Sequence, residues 1–388
     1  MPWKNFTGPT VWLISAAILG AVAIGWCNPA AAAESELRGI WMWGSQVKSR
    51  TAADQCITQV DAAHLNAVFL LVWYWGGRTF YHSDLCPMAN DIEPGYDPLA
   101  YMIEQCHRRG IQVHAWFVNG KCDSHLGHEV LERHPDWSIK NNDGRVAWYD
   151  FGKPDVRKFQ SDLMIEVLKR YDVDGLHFDY IRYDHSPVIC YCKRCQDEFS
   201  ARYGFEPRYA PLPANAKTDP KKETLRMTKW AEYRKSTVSA LVRDVYGRAK
   251  AAKPKAQITA AVFTPLATAE DLCQDWPNWL REGIIDFVVP MAYTSDDREL
   301  ARQIDEWKTI DPQLDRIVPG LSIYKRTSKA MISREPQQVL AQYQLCLDRG
   351  AHGNVYFWYG NLSQAISQAL VKRYYPSKVP VYRPPALR

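Results

Sequence analysis

No run of five or six basic residues occurs in the chain, and its net charge of +5 is small and dispersed. That excludes the clustered cationic footprint a nucleic-acid surface needs. No G-x-G-x-x-G follows the first apolar segment and no H-E-x-x-H appears. The dinucleotide fingerprint and the zinc-hydrolase helix are thereby absent, and no organic cofactor is implied. Beyond the N-terminal segment, no apolar stretch is long enough to span a bilayer.

What the chain does have begins with a targeting signal. Lys4 supplies a positive start, residues 11–26 are apolar, and Ala31-Ala32-Ala33 offers a small-residue cleavage site before Glu34. The apolar stretch of about 16 residues falls short of the roughly 20 that a span needs. Residues 1–33 therefore read as a signal peptide, and the mature protein is expected to be exported, periplasmic or extracellular, with no transmembrane span after cleavage. Residues 34–375 read as one domain. A tail over 376–388, with Pro380, Pro384 and Pro385, is expected to be unstructured.

Ten cysteines in an exported chain ordinarily suggest disulfides. Removing Cys27 with the signal leaves an odd number, and Cys190, Cys192 and Cys195 form a C-x-C-x-x-C cluster. Three thiolates so close suit tetrahedral Zn²⁺ better than disulfides, although a disulfide plus a free thiol is the alternative. A fourth ligand is required, and Cys122 is the candidate because the segments preceding the two sites should be neighbours. Such a closed site would be structural and not catalytic.

The rest of the mature chain repeats one unit: a short apolar strand, a polar loop and an amphipathic helix. Strands are expected over 37–43, 67–73, 112–118, 175–181, 258–263, 287–293, 317–324 and 355–359. Most are continuous apolar runs, as in strands covered on both faces. Between them, helices carry apolar residues at helical spacing, for example Val156, Phe159, Leu163 and Val167 after Pro154. Several stop at Gly110, Gly283 or Gly350. Eight βα units closing on themselves give a (β/α)8 TIM barrel of the α/β class, a single domain with long loops after strands three and four (121–152 and 184–222).

In that fold, chemistry gathers at the C-terminal ends of the strands. The fourth strand's period of two puts His177, Asp179 and Ile181 on one side, with Asp179 near its end and Arg182 able to pair with it. The bland alternative is a structural Asp/Arg pair; His177, deeper, reads more readily as a core histidine. Hydrolysis of a glycosidic bond requires two carboxyl groups, one to protonate the leaving oxygen and one as nucleophile or base. Partners for Asp179 are Asp275, Glu270 or Asp271 in the loop after strand five, with Asp123, Asp184, Asp296 and Asp297 also near strand ends. Asp275 also reads as a helix N-cap before Trp276-Pro277. Fifteen Trp and twenty-one Tyr are many for this length. Those at strand ends, among them Trp43, Trp75, Trp116, Tyr293 and Trp358, could stack on sugar rings or simply pack. Arg78, His82 and Asn119 sit where they could bond sugar hydroxyls. His114 and His177 could instead serve a metal-dependent hydrolase.

Six segments together resemble the glycosyl-hydrolase-like family formerly catalogued as domain of unknown function 187: Leu37-Arg38-Gly39-Ile40-Trp41, residues 109–117, His134-Pro135-Asp136-Trp137, residues 174–183, Gln274-Asp275-Trp276 and residues 286–294. The resemblance covers roughly 36–374. It implies a barrel, export, and action on a polysaccharide, with characterised relatives acting on peptidoglycan of the cell wall. It places the family's strand-four Asp on Asp179 and raises Asp275 as a functional residue. The C-x-C-x-x-C cluster departs from the family and is similar to the zinc cluster after strand four in family forty-two β-galactosidases. A catalytically inactive, glycan-binding barrel in the cell envelope is the alternative reading.

Overall fold

The computed structural model describes residues 35–74, 77–122, 129–140, 146–184, 192–207 and 219–385. In chain order these form β1 (Leu37–Met42), α1 (Arg50–Ala62), β2 (Ala67–Trp73), α2 (Pro98–His107), β3 (Gln112–Val118), α3 (Glu129–Arg133), β4 (Ser138–Lys140), β5 (Val146–Tyr149), α4 (Pro154–Arg170) and β6 (Gly175–Asp179). Then come α5 (Lys193–Tyr203), α6 (Pro220–Ala252), β7 (Gln257–Val262), α7 (Leu266–Asp271), α8 (Trp276–Glu282), β8 (Phe287–Ala292) and α9 (Asp297–Trp307). Last are β9 (Gly320–Ser322), β10 (Tyr324–Arg326), β11 (Met331–Ser333), α10 (Pro336–Asp348), β12 (Gly353–Phe357) and α11 (Gln364–Arg373).

Eight of the strands close a parallel barrel in the order β1-β12-β9-β8-β7-β6-β3-β2. This is the TIM barrel that the alternation of strand and helix signals predicts. All residues of β1, β2, β6 and β7 are buried, which is why β2 reads as an unbroken apolar run and the others are mainly apolar. Alternate side chains serve two separate cores. Leu37, Trp41, Phe69, Trp116, Phe287 and Val289 fill the barrel interior, whereas Ile40, Val68, Val113, Leu176 and Ile258 pack outward under the helices. Gly110 and Gly283 adopt φ of 73° and 68°. In that left-handed region a Cβ is unfavourable, so glycine ends the helix there.

Three expectations are corrected. Strand four stops at Asp179, because Tyr180 turns to φ 50°; Ile181 is not on the strand. Strand seven is a three-residue strand preceded by a single bridge between Val288 and Ile317, since Pro319 within the expected span has no N–H to give a ladder. Its expected end, Tyr324, begins the antiparallel hairpin β10–β11 instead.

The described part of the tail is also docked on the barrel. Pro380 O accepts from Glu36 N (3.0 Å), Ser377 O from Arg38 (2.7 Å) and Val379 O from Asn66 (3.2 Å). Val381 and Tyr382 pack against the interior core from below, and Tyr382 stacks on His352 at 4.4 Å. Prolines at these positions cost no hydrogen bond, because the tail is held by its carbonyls and side chains.

Candidate active site

Asp179 is the last residue of β6, and its side chain points inward at the C-terminal mouth of the barrel with 6% exposure. Its Oδ2 accepts from Trp116 Nε1 at 3.1 Å, and its Oδ1 accepts from Tyr180 N at 2.7 Å. The left-handed turn at Tyr180 brings that N–H back onto the carboxyl, an example of local strain placed at a site. Burial pushes the Asp179 carboxyl up from 3.8 to about 6, against the pull of the Tyr180 N–H, the Arg182 charge and the Trp116 N–H. That displacement is roughly 3 kcal/mol against the ionised form. Behind it, Asn119 N donates to Asp179 O (2.8 Å), and buried Asn119 exchanges hydrogen bonds with Gln160. Asn119 therefore positions the strand end and does not face the mouth.

The carboxyl opens into a cleft of about 460 Å³. Its walls are Tyr180 and Arg182 beyond β6, Phe263 and Thr264 beyond β7, Met291, Tyr293 and Thr294 at the end of β8, and Glu299 and Gln303 on α9. The buried Arg182 guanidinium lies over the rings of Phe263 (4.6 Å), Tyr180 (4.8 Å) and Trp148 (5.2 Å). Glu299 is the second carboxyl group of the cleft. It accepts from Arg302 Nε at 3.0 Å, Arg302 Nη2 at 2.8 Å and Gln303 Nε2 at 2.8 Å. These bonds, those from Arg302 and then Gln303, hold its pKa below the usual range. Environment thus pushes the two carboxyls in opposite directions, the pattern that separates an acid from a base. Above the cleft stands an aromatic rim: Tyr293 against Phe357 (5.1 Å) and Tyr324 (6.3 Å), then Tyr324 against Trp358 (5.4 Å) and Trp358 against Trp43 (6.5 Å).

Several expected site residues stand elsewhere. Asp275, Glu270 and Asp271 do not line this cleft. The segment after β7 folds into α7 and α8, where Glu270 pairs with Lys235 of α6 at 2.5 Å and half-buried Asp275 accepts two bonds from Asn278 (2.9 and 2.8 Å). The neighbour of Asp275 matters more: buried Gln274 accepts from Phe263 N at 2.7 Å and donates to Ala261 O at 3.2 Å, which fixes the cleft wall. Arg78 is tied to Glu129 (2.5 Å) and Asn90 (3.0 Å), and His82 is exposed beside Asp97 and Tyr171. Asp296 caps α9 through Arg298 N (2.8 Å). Trp75, Asp123 and Cys190 lie outside the described residues.

The two interior histidines are sealed. His177 Nε2 accepts from Trp41 Nε1 (3.1 Å) and its Nδ1 faces Thr259 Oγ1 (2.8 Å). An Nε2 that accepts places the proton on Nδ1, so the ring is neutral, and burial drives its pKa far down. His114, lower still, stacks on Phe69 at 4.6 Å, and burial lowers it to about 4. Neither reaches the cleft, so the metal-dependent reading loses both of its ligands.

A candidate metal group lies elsewhere, between the segment that precedes α4 and the start of α5. Asp150, Cys192 and Cys195 bring their ligand atoms within 4.8 Å of one another. Asp150 was not among the expected ligands; Cys122 is not in this grouping among the described residues, and Cys190 lies outside them. Cys192 and Cys195 open α5, and a Cβ on Gly152 would fall 2.3 Å from Cys195 Sγ. The close approach therefore needs glycine there. A buried carboxylate and two thiols suit a divalent zinc-like ion.

A closed parallel barrel with a buried carboxyl opening into a cleft at the strand ends is an architecture that glycoside-hydrolase barrels share. The chain belongs to the family glycosyl hydrolase-like 10, which it matches over residues 36–337. It is 27% identical over 285 residues to glycosyl hydrolase DigH of Escherichia coli K12, covering 65% of this chain and 59% of that protein. To glycosyl hydrolase YngK of Bacillus subtilis strain 168 it is 26% identical over 311 residues, 68% of this chain and 55% of that one. The match thus spans little more than half the length of these relatives. Among solved structures, the glycoside hydrolase domain of PgaB (BpsB) from Bordetella bronchiseptica shares the fold with TM-score 0.65 at 14% identity, covering 88% of this chain and 99% of that one. The β-galactosidase of Bacillus circulans shares it at 0.62 and 12%, over 84% and 50%. Among the described residues no helix is long and apolar enough to cross a membrane.

Proposed function

We propose that the protein is an exported glycoside hydrolase that cleaves a polysaccharide by a two-carboxyl mechanism, with Asp179 as the acid and Glu299 as its partner. The observation that carries this reading is the buried carboxyl at the cleft floor, held near pH 6 with one hydrogen bond to each oxygen. Protonated Asp179 gives its proton to the glycosidic oxygen as the C–O bond breaks. The electron pair of that bond leaves with the oxygen, and the new Asp179 carboxylate is stabilised by Trp116 Nε1–H, Tyr180 N–H and the Arg182 charge. The Glu299 carboxylate, kept ionised by Arg302, attacks the anomeric carbon or takes a proton from the attacking water. The aromatic rim offers flat faces for sugar rings.

The sequence resemblance supports glycan strands of peptidoglycan as the first substrate to try. The N-terminal segment 1–33 supports export of a mature barrel over 34–375 with its tail, and Asp150, Cys192 and Cys195 support a structural zinc that pins α5. One zinc per purified chain, lost in Asp150→Ala with the barrel still folded, is expected by elemental analysis.

The test is product release from peptidoglycan with and without stem peptides, and from plain polysaccharides, for the mature protein and Asp179→Asn. Cleavage abolished by the substitution with folding intact is expected. Binding without release by the wild type would instead identify a glycan-binding barrel.

A further inference from the structure

Cys192 is the one cysteine among the described residues that is not buried. It stands at the N-cap of α5, before buried Cys195 in the first turn, and its side chain makes no capping bond to the helix. The two sulfurs and one Asp150 oxygen all lie within 4.8 Å of one another. Lys193 and Arg194 between them are helical, so helical geometry sets the Cα atoms of the pair about 5 Å apart. A disulfide accepts roughly 4.4–6.8 Å between Cα atoms. The bond can therefore close by rotation of the side chains.

The cysteines outside this group are poor reactants. Cys56, Cys86, Cys106, Cys122, Cys273 and Cys346 are all buried, and burial pushes the thiols of Cys86, Cys106 and Cys346 up to about 12. A thiol that stays protonated and covered neither attacks a disulfide nor meets an oxidant. Cys195 is covered too, but it needs only to reach Cys192. The buried Asp150 carboxylate accepts from both sulfurs, at 3.5 Å from Cys192 and at 3.7 and 3.8 Å from Cys195. It is served by thiol donors or by a cation, and a disulfide offers neither. Closing the bond therefore removes two donors from a buried carboxylate and loosens α5 from the segment that precedes α4.

We propose that Cys192 and Cys195 are an oxidation site, a dithiol that closes to a reversible disulfide by exchange with a small disulfide from the surroundings. The half-buried Cys192 thiolate attacks one sulfur of the small disulfide, whose S–S bond breaks and whose other sulfur leaves as a thiolate with the electron pair. The Cys195 thiolate then attacks Cys192 Sγ and expels the second small thiolate. The protein pair loses two electrons and the small disulfide gains them; a proton carried by either cysteine leaves with the released thiolates. Where the group holds zinc, the same two sulfurs leave the metal and the ion is released. That consequence rests on the reading of Asp150, Cys192 and Cys195 as a zinc site, whereas the disulfide does not.

The test treats the purified full chain with oxidised glutathione and follows its free thiols, zinc release to a chromogenic chelator, and the joined peptides by mass spectrometry. Loss of two thiols per chain, with one bond mapped to Cys192 and Cys195 and reversed by dithiothreitol, is expected. In a zinc-loaded chain, one zinc should leave for each bond formed. Cys195→Ser should instead hold glutathione on Cys192 as a mixed disulfide, because the second attack is lost, with its circular dichroism unchanged. Both thiols surviving an excess of oxidised glutathione overturns the proposal, as does a bond from Cys192 to any other cysteine or a Cys195→Ser chain that takes up no glutathione. A closed bond that leaves zinc in place also overturns it, since the same sulfurs cannot do both. A chain isolated without zinc that still joins Cys192 to Cys195 supports the proposal and sinks the zinc reading alone.

Discussion

His177 and Asp179 stand two residues apart on one strand, both facing the barrel interior and both buried, yet their surroundings are opposite. The imidazole is bonded at both nitrogens, capped by Trp41 and held neutral. One layer higher, the carboxyl has a single bond to each oxygen and an open cleft beside it. Buried polar groups with all partners supplied by the protein specify the fold, while a group left short of partners is ready for a ligand. The difference between structure and chemistry in this barrel is one turn of the pleat.

The largest effect should come from the upper layer. Asp179→Asn is expected to reduce kcat on a cleavable glycan by about 10²–10⁴, the usual worth of a general acid, measured by reducing-end release. If it lost stability instead of rate, the two layers would not differ as described. Next comes the lower layer: His177→Leu leaves Trp41 Nε1 without its partner and Thr259 Oγ1 with only Leu176 O (3.4 Å), and should cost roughly 2–4 kcal/mol in chemical denaturation. The rate per folded molecule should be nearly unchanged.

A third outcome follows from the raised carboxyl. Its folded pKa of about 6 lies above the ordinary 3.8, so the folded state holds a proton that the unfolded chain releases between those values. The stability this contributes is complete below pH 3.8 and is lost as pH rises through 6. Asp179→Asn should therefore exceed wild type by up to roughly 3 kcal/mol above pH 7, with the gap closing below pH 4. A gap independent of pH would place the carboxyl in an ordinary environment. The smallest effect is expected from Gln274→Ala, about 1–2 kcal/mol from the unpaired Phe263 N–H and Ala261 carbonyl. It should raise KM more than it lowers kcat, as the cleft wall slackens.

The position of Asp179 could be read in the sequence because the motif over 174–183 announces a strand, although that strand ends two residues sooner than expected. The proposed partner of Asp179 could not. Glu299 enters the cleft because Asp296 starts α9 where it does, and a helix start one residue away would turn Glu299 from the site. The acidic residues after the fifth strand sit next to Asp179 in the barrel's order, but α7 and α8 carry them outward to Lys235 and Asn278. Asp150, the proposed third ligand beside Cys192 and Cys195, was hidden for a similar reason: it lies far from the cysteines in sequence, and no spacing rule joins a carboxylate to a C-x-C-x-x-C. The docked tail was illegible in part because several of its anchors are backbone carbonyls, which every residue possesses.

The most direct test of the central claim is the pH dependence of kcat/KM for the wild type on whichever glycan it cleaves. With Asp179 as the proton donor, the rate should fall above pH 6, about tenfold per pH unit. A rate that instead rises through pH 6 to a plateau would make Asp179 an ionised nucleophile and contradict the assignment.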